Sequence, residues 1–148
     1  MTGKKKIYIA GPLFSAGERA FNEKVALALA PYAEVFLPQR DGLVLADVIQ
    51  AGIELDEAAA AVFECDINAV TACDVLLIVL DGRAVDEGAV FELGLAYAQK
   101  KICVGLQTDP RRLFAFGNNP MLTGALQRIV SDMDELVAWA KDWSGEAA

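Results

Sequence analysis

Apolar and polar positions along this chain alternate between two periods. Ile7–Ala10 is a short apolar run ending in Gly11-Pro12, which predicts a strand followed by a loop. Ala20, Phe21, Val25 and Leu29 recur at helical spacing and predict a helix over Ser15–Leu29. Glu34–Leu37 reads as a second short strand stopped by Pro38, and Gln39–Leu45 carries the turn signal Asp41-Gly42. From about Leu45 to Cys73 the pattern is helical and rich in alanine, either as one long helix or as two with a break near Gly52. Asp74–Leu80 is almost continuously apolar, as expected of a strand inside a parallel sheet.

Asp81-Gly82 opens a loop, Gly88–Gln99 is helical, and Lys101–Leu106 reads as a fourth strand. Thr108–Pro120 is polar and loop-like, Met121–Arg128 predicts a short helix, and Ile129-Val130 a minimal fifth strand. Met133–Trp143 predicts the last helix, before a small polar tail, Ser144–Ala148. No repeat or linker interrupts this alternation, so residues 1–148 are expected to form one α/β domain. Its expected architecture is a doubly wound, five-stranded parallel sheet in the order 2-1-3-4-5, with helices on both faces. Ligands of such sheets bind beyond the carboxyl ends of the strands, near the switch point between strands one and three. That rule selects the loops Gly11–Gly17, Asp81–Gly88 and Thr108–Pro120.

Composition narrows the chemistry. Hydrophobic residues make up 55% of the chain, above the roughly 45–50% of ordinary soluble domains. The surplus suits a sheet covered on both faces and leaves room for a buried subunit interface. No apolar run approaches the roughly 20 residues of a membrane-spanning helix, and Met1–Lys6 lacks the apolar segment of a signal peptide. A cytoplasmic protein without membrane contact is expected. Cys65, Cys73 and Cys103 form no CxxC pair and are expected to be reduced, buried small hydrophobes. A net charge of −8 argues against a nucleic-acid surface. The chain has no histidine, which removes the commonest general base, the commonest metal ligand and any Ser-His-Asp triad. Acid–base chemistry then falls to Asp and Glu.

Two carboxylates follow the most apolar strand. Asp86 stands where it could cap the next helix, and Glu92 falls in that helix's second turn. Acidic residues are common near helix starts, so an N-cap and an exposed surface residue form the plain alternative. Against that alternative, Glu92 is embedded in Phe91, Leu93, Gly94, Leu95 and Ala96, a segment suited to burial. A buried carboxylate costs free energy unless it is hydrogen-bonded or used.

Four features in order carry a family resemblance. They are Ile7-Tyr8-Ile9-Ala10-Gly11-Pro12-Leu13-Phe14, the pair Asp66 and Asp74, the segment Asp86…Glu92-Leu93-Gly94, and Asn119-Pro120-Met121. Over roughly Ile7 to Met121 the chain resembles the nucleoside 2-deoxyribosyltransferases. The resemblance implies a flavodoxin-like fold, a homo-oligomer, and transfer of a deoxyribosyl group between nucleobases without metal or cofactor. Its small-molecule partners would be deoxynucleosides and free nucleobases. By the same resemblance Glu92 attacks the anomeric carbon, Asp86 holds the deoxyribose hydroxyls, and Asp66 contacts the base and handles its proton. Tyr8 orients the nucleophile, and Asn119 reaches a neighbouring subunit's site to bind the 5′-hydroxyl. Phe14 is expected to stack on the base or to join the core. Gln39 follows Pro38 where the family places base-contacting groups, and the motif residues Gly11 and Met121 complete the expected substrate-binding set. Singly, Tyr8 reads equally well as a strand-end hydroxyl, Asp66 as an exposed helix residue and Asn119 as a turn residue.

Breaking an N-glycosidic bond builds positive charge on the sugar and negative charge on the base. A carboxylate at the anomeric carbon meets the first and a protonated carboxyl near the base meets the second. Glu92 is therefore expected to be ionised, helped by the helix N-terminus and the Tyr8 hydroxyl, and Asp66 protonated through burial. Two other readings compete. A 2-deoxynucleoside 5′-monophosphate N-hydrolase of similar fold would carry a Gly-Ser-Ile-Arg-Gly-Gly-Arg pattern after strand one. Here Pro12 offers neither a hydroxyl nor an N–H, Phe14 replaces an arginine, and only Ser15 and Arg19 remain for a phosphate, with Glu18 opposing it. A non-catalytic nucleotide-sensing module would need neither Glu92 nor Asp66.

Overall fold

A computed structural model describes residues 4–112 and 114–145. The first residues of the Met1–Lys6 lead-in, position 113 of the Thr108–Pro120 loop and the end of the Ser144–Ala148 tail lie outside the described residues. In chain order the elements are β1 (Lys6–Ala10), α1 (Ala16–Leu29), β2 (Glu34–Phe36), α2 (Pro38–Asp41), α3 (Leu45–Gln50) and α4 (Leu55–Ala72). They continue with β3 (Val75–Val79), α5 (Glu87–Ala98), β4 (Ile102–Leu106), α6 (Pro120–Ala125), β5 (Arg128–Val130) and α7 (Met133–Ser144). All strand pairs are parallel and the order is β2-β1-β3-β4-β5, as the alternation of elements predicts.

The middle strand explains the rest. All five residues of β3 are apolar and buried, because helices cover both faces of the sheet. Side chains alternate across it. Ile7, Ile9, Leu77 and Val79 point to a core shared with Val25, Leu29 and Leu136 of α1 and α7. Tyr8, Ala10, Leu76 and Ile78 point to the opposite core, with Val70 of α4 and Leu93 and Ala96 of α5. The parity of β1 thus aims Tyr8 at α4 and α5.

The alanine-rich stretch divides at Gly52, whose φ of 91° suits glycine and ends α3. The expected turn at Gln39–Leu45 opens instead with a helical turn, because Pro38 presets its first residue. Gly42 then closes that turn; a Cβ there would stand 2.7 Å from the Pro38 carbonyl oxygen. The helix expected over Met121–Arg128 is the shorter α6, led by Pro120, and Arg128 joins β5. Cys73 and Cys103 are buried free thiols, whereas Cys65 is only half-buried because it lies near the open side of α4. Among the described residues no helix is long and apolar enough to cross a membrane.

Candidate active site

Tyr8 is the one buried side chain of β1 with a polar group, set among Ile7, Ile9 and Ala10, while Lys6 at the strand's start is exposed. Its ring stacks on Phe36 of the neighbouring strand, with centroids 5.4 Å apart and planes 10° from parallel. That clamp leaves the hydroxyl one direction, and it donates to Glu92 Oε1 at 2.7 Å. Glu92 is held from its own side because its neighbours at helical spacing, Ala89, Leu93 and Ala96, are buried against the sheet. Asp86 caps α5 by accepting the Ala89 N–H at 2.9 Å, and its side chain also faces the Glu92 cavity. The plain capping role and a place in the site coexist at this residue.

The third carboxyl comes from α4. Asp66 Oδ1 is fully buried and is the one buried side-chain polar atom without a hydrogen-bond partner among the described residues. Gly42 lies beside it: a Cβ there would stand 3.4 Å from that oxygen, an ordinary contact distance. The three carboxyls line one cavity of about 580 Å³. Opposite them lie the β1–α1 loop, with Gly11, Leu13, Phe14 and Arg19, and an apolar wall from Leu43 to Ala46 closed by Val62.

Burial governs the electrostatics. It pushes the Glu92 carboxyl up to about 7, with the charges of Asp66 and Asp86 adding to the rise and the Tyr8 hydrogen bond opposing it. Burial alone pushes Asp66 up to about 6. Tyr8 is raised far above its ordinary range by burial and then by the Glu92 charge, so it stays a neutral donor. The direction at Asp66 agrees with the expected acid. At Glu92 it opposes the expected ionised state, because desolvation outweighs the single bond from Tyr8. Near neutral pH the pair shares about one proton, and its two ionisations belong to the pair. Such a pair can supply an anionic oxygen and an acidic proton within one cavity.

The remaining expected positions fall differently. Gly11 lines the cavity, and a Cβ there would press to 3.1 Å on Val79, so the loop sits close on the end of β3. Phe14 is 75% exposed at the cavity wall and is no part of the core. Gln39 is not brought to the carboxyls. Its amide accepts from Asn22 and donates to the Arg19 carbonyl and to Glu23, tying α2 to α1. Asn119 caps α6 by accepting the Met121 N–H at 2.9 Å, and both residues line a separate cavity of about 230 Å³ with Arg83 and Gln107. Within one chain neither reaches Glu92. Two features escape the sequence reading. The wall at Leu43, Val44 and Leu45 stands where a polar turn is expected, and its apolar run was the available signal. Asp81 accepts Thr108 N–H, Thr108 Oγ1 and Asp109 N–H at 2.7, 2.6 and 2.9 Å, locking together the two loops beyond β3 and β4.

The raised carboxyls carry a stability signature. Folding lifts both above their ordinary values of about 4, so between about pH 4 and 7 the folded chain holds more protons than the unfolded one. Their contribution to stability is full at the acid end and is lost as pH rises through about 6 for Asp66 and about 7 for Glu92. Glu92→Gln should therefore be more stable than the parent at pH 8, by about 1–3 kcal/mol, with the gain vanishing near pH 4. Urea unfolding at both pH values measures it. An equal difference at the two pH values would remove the buried charge as its cause.

The fold has known relatives. The nucleoside 2-deoxyribosyltransferase family model matches residues 7–140. A conserved protein from Enterococcus faecalis V583 is similar at 26% identity and a TM-score of 0.81, covering 95% of this chain and 99% of its own. The 2-deoxyribosyltransferase from Bacillus psychrosaccharolyticus superposes with a TM-score of 0.73 at 23% identity, over 89% of this chain and 90% of its own. The CMP N-glycosidase BcmB from Clostridium botulinum does so with a TM-score of 0.57 at 18% identity, over 94% and 99%. No curated protein gives a significant match. The family match runs from β1, which carries Tyr8, into α7, and so takes in every element that builds the carboxylate cavity: this chain belongs to the nucleoside 2-deoxyribosyltransferase family.

Proposed function

We propose that this protein transfers the 2-deoxyribosyl group between nucleobases by a retaining double displacement through a deoxyribosyl–Glu92 ester. One observation carries the reading: the tyrosine-anchored Glu92 faces the same cavity as Asp66, whose Oδ1 is buried without a hydrogen-bond partner among the described residues. In the first displacement a Glu92 oxygen bonds to the anomeric carbon as the N-glycosidic bond breaks. The bonding pair leaves with the base, which takes the Asp66 proton. In the second, a ring nitrogen of the incoming base attacks the anomeric carbon, the Glu92 carboxylate departs, and the base's proton returns to Asp66. Asp86 stands beside this path as a hydroxyl acceptor, the apolar wall suits a base, and exposed Phe14 can stack on it.

Glu92→Ala should abolish base exchange between deoxyadenosine and a free purine acceptor while leaving the circular dichroism spectrum in place. With a slow 2-fluoro donor, intact-mass analysis of the parent should show a glycosyl adduct that maps to Glu92. Exchange by Glu92→Ala within tenfold of the parent would sink the assignment. Release of free sugar without exchange would instead favour an N-hydrolase, the activity class in the name of the Clostridium botulinum relative.

The reacting form has its one proton on Asp66 and none on Glu92, and the free protein favours the reverse. Activity should follow a bell. It rises through about pH 6 and falls above about pH 7 in kcat/KM. Asp66→Asn should lose the alkaline limb. The acid limb that remains then belongs to Glu92 alone, without the Asp66 charge that raises it. A bell unchanged in Asp66→Asn would assign the acid elsewhere.

The shared-site reading of Asn119 needs an oligomer. It is supported by an apolar surface on α4, α5 and α6, where Phe63, Phe91, Tyr97 and Met121 are each more than half exposed. Two-fold assembly through this face would bring one chain's Asn119 toward another's cavity. Mixing Glu92→Ala chains with Asn119→Ala chains, with subunit exchange allowed, should raise activity above that of either variant alone. Full activity from a monomer in light scattering would return Asn119 to its local capping role.

A further inference from the structure

A second cavity, of about 230 Å³, opens beyond the carboxyl ends of β3 and β4, the end at which parallel sheets hold ligands. It shares no lining residue with the Glu92 cavity. Three of the chain's six arginines line it, Arg83, Arg111 and Arg112, and among the described residues no Asp or Glu does, although the chain carries a net charge of −8. Asp109, outside the lining, offsets Arg111, with Oδ2 2.6 Å from Nη2. Arg112 Nη1 donates to the carbonyls of Asp109 and Arg111, which carry no net charge to offset its own. Arg83 follows Gly82, whose φ of 111° suits glycine, and has no hydrogen-bond or ion-pair partner among the described residues.

The amides of this cavity complete a lining of donors. Gln107, only 6% exposed, donates from Nε2 to Asn118 Oδ1 at 3.0 Å, and Asn118 Nδ2 donates to Gln107 Oε1 at 2.7 Å. Asn119 Oδ1 accepts the Met121 N–H. Every side-chain oxygen of the lining thus already accepts a hydrogen bond, while each amide nitrogen keeps at least one further N–H. Guanidinium forks and N–H groups with few free acceptors among them match an oxyanion. A phosphate, with about two negative charges and three free oxygens in a monoester, uses more of these donors than a carboxylate can. Leu80, Val85, Val90 and Leu122 form an apolar side against which a small organic group could rest.

We propose that this cavity is a phosphate-binding site, separate from the Glu92 cavity, for free phosphate or for the phosphate of a small monoester. Arg83 and Arg112 hold the anion, and the fixed Gln107–Asn118 pair presents N–H groups to it. Nothing in this site depends on the chemistry at Glu92.

Calorimetric titration of the whole protein with inorganic phosphate, ribose 5-phosphate, ribose and acetate tests it. At least one of the two phosphates should saturate one site per chain, with a Kd at least about tenfold below those of ribose and acetate. Arg83→Gln and Arg112→Gln should each raise that Kd at least about tenfold. Arg83 is exposed and unpartnered, so its replacement leaves the fold in place. Arg128→Gln removes an equal charge elsewhere on the surface, and Arg19→Gln removes one from the Glu92 cavity; both should stay within about twofold of the parent, as should Glu92→Ala. Tighter binding of ribose 5-phosphate than of inorganic phosphate, with the same arginine dependence, makes a monoester the ligand, and the reverse order makes it free phosphate. No saturable binding of either phosphate, acetate bound as tightly, or an equal loss in Arg128→Gln overturns the site. A loss in Arg19→Gln with none in Arg83→Gln places the anion in the Glu92 cavity and overturns it as well.

Discussion

A phenol from β1 and a carboxylate from α5, 84 residues apart in sequence, meet at 2.7 Å, the phenol fully buried and the carboxylate half-buried. That contact fixes one carboxylate of the cavity. Tyr8 can make it because strand parity aims the ring at the α4–α5 face and Phe36 holds it flat. Glu92 can make it because the residues three before it, one after it and four after it bind α5 to the sheet. Withdrawing either clamp would leave a buried oxygen unsatisfied, at a cost of about 1–3 kcal/mol. The bond is therefore both a structural pin and the device that orients the Glu92 carboxylate toward the cavity.

The same burial works against the stability of the charged site. Glu92 and Asp66 are both pushed toward their neutral forms, and Asp66 Oδ1 has no partner at all among the described residues. A chain assembled for stability alone would place apolar side chains there. The all-apolar β3 and the two cores it separates supply the rigidity against which these groups are held. Helix ends add a second layer of control. Glu18 caps α1 and Asp86 caps α5 from within the chain, and Asp86 also lines the cavity.

The division between what sequence determines and what only the tertiary structure decides follows physical range. Sheet order, strand positions and the loops that carry the site were legible, because they rest on local periodicity and on the rules of parallel crossovers. So were Tyr8, Asp66, Asp86 and Glu92 as a set, through motifs that short segments preserve. The structure then brought these four together and left Gln39 on a hydrogen-bonding task between α1 and α2. It also put Asn119 and Met121 in another cavity, since their place in any shared site depends on a second chain. The ionisation of Glu92 was not legible, because a pKa sums desolvation and the influence of groups on α4, the start of α5 and β1, and local sequence carries no measure of that sum. The apolar wall at Leu43–Ala46 was hidden for a related reason. A turn-forming segment becomes a cavity wall only when the fold brings it beside Asp66 of α4, and that closeness exists only in the folded chain.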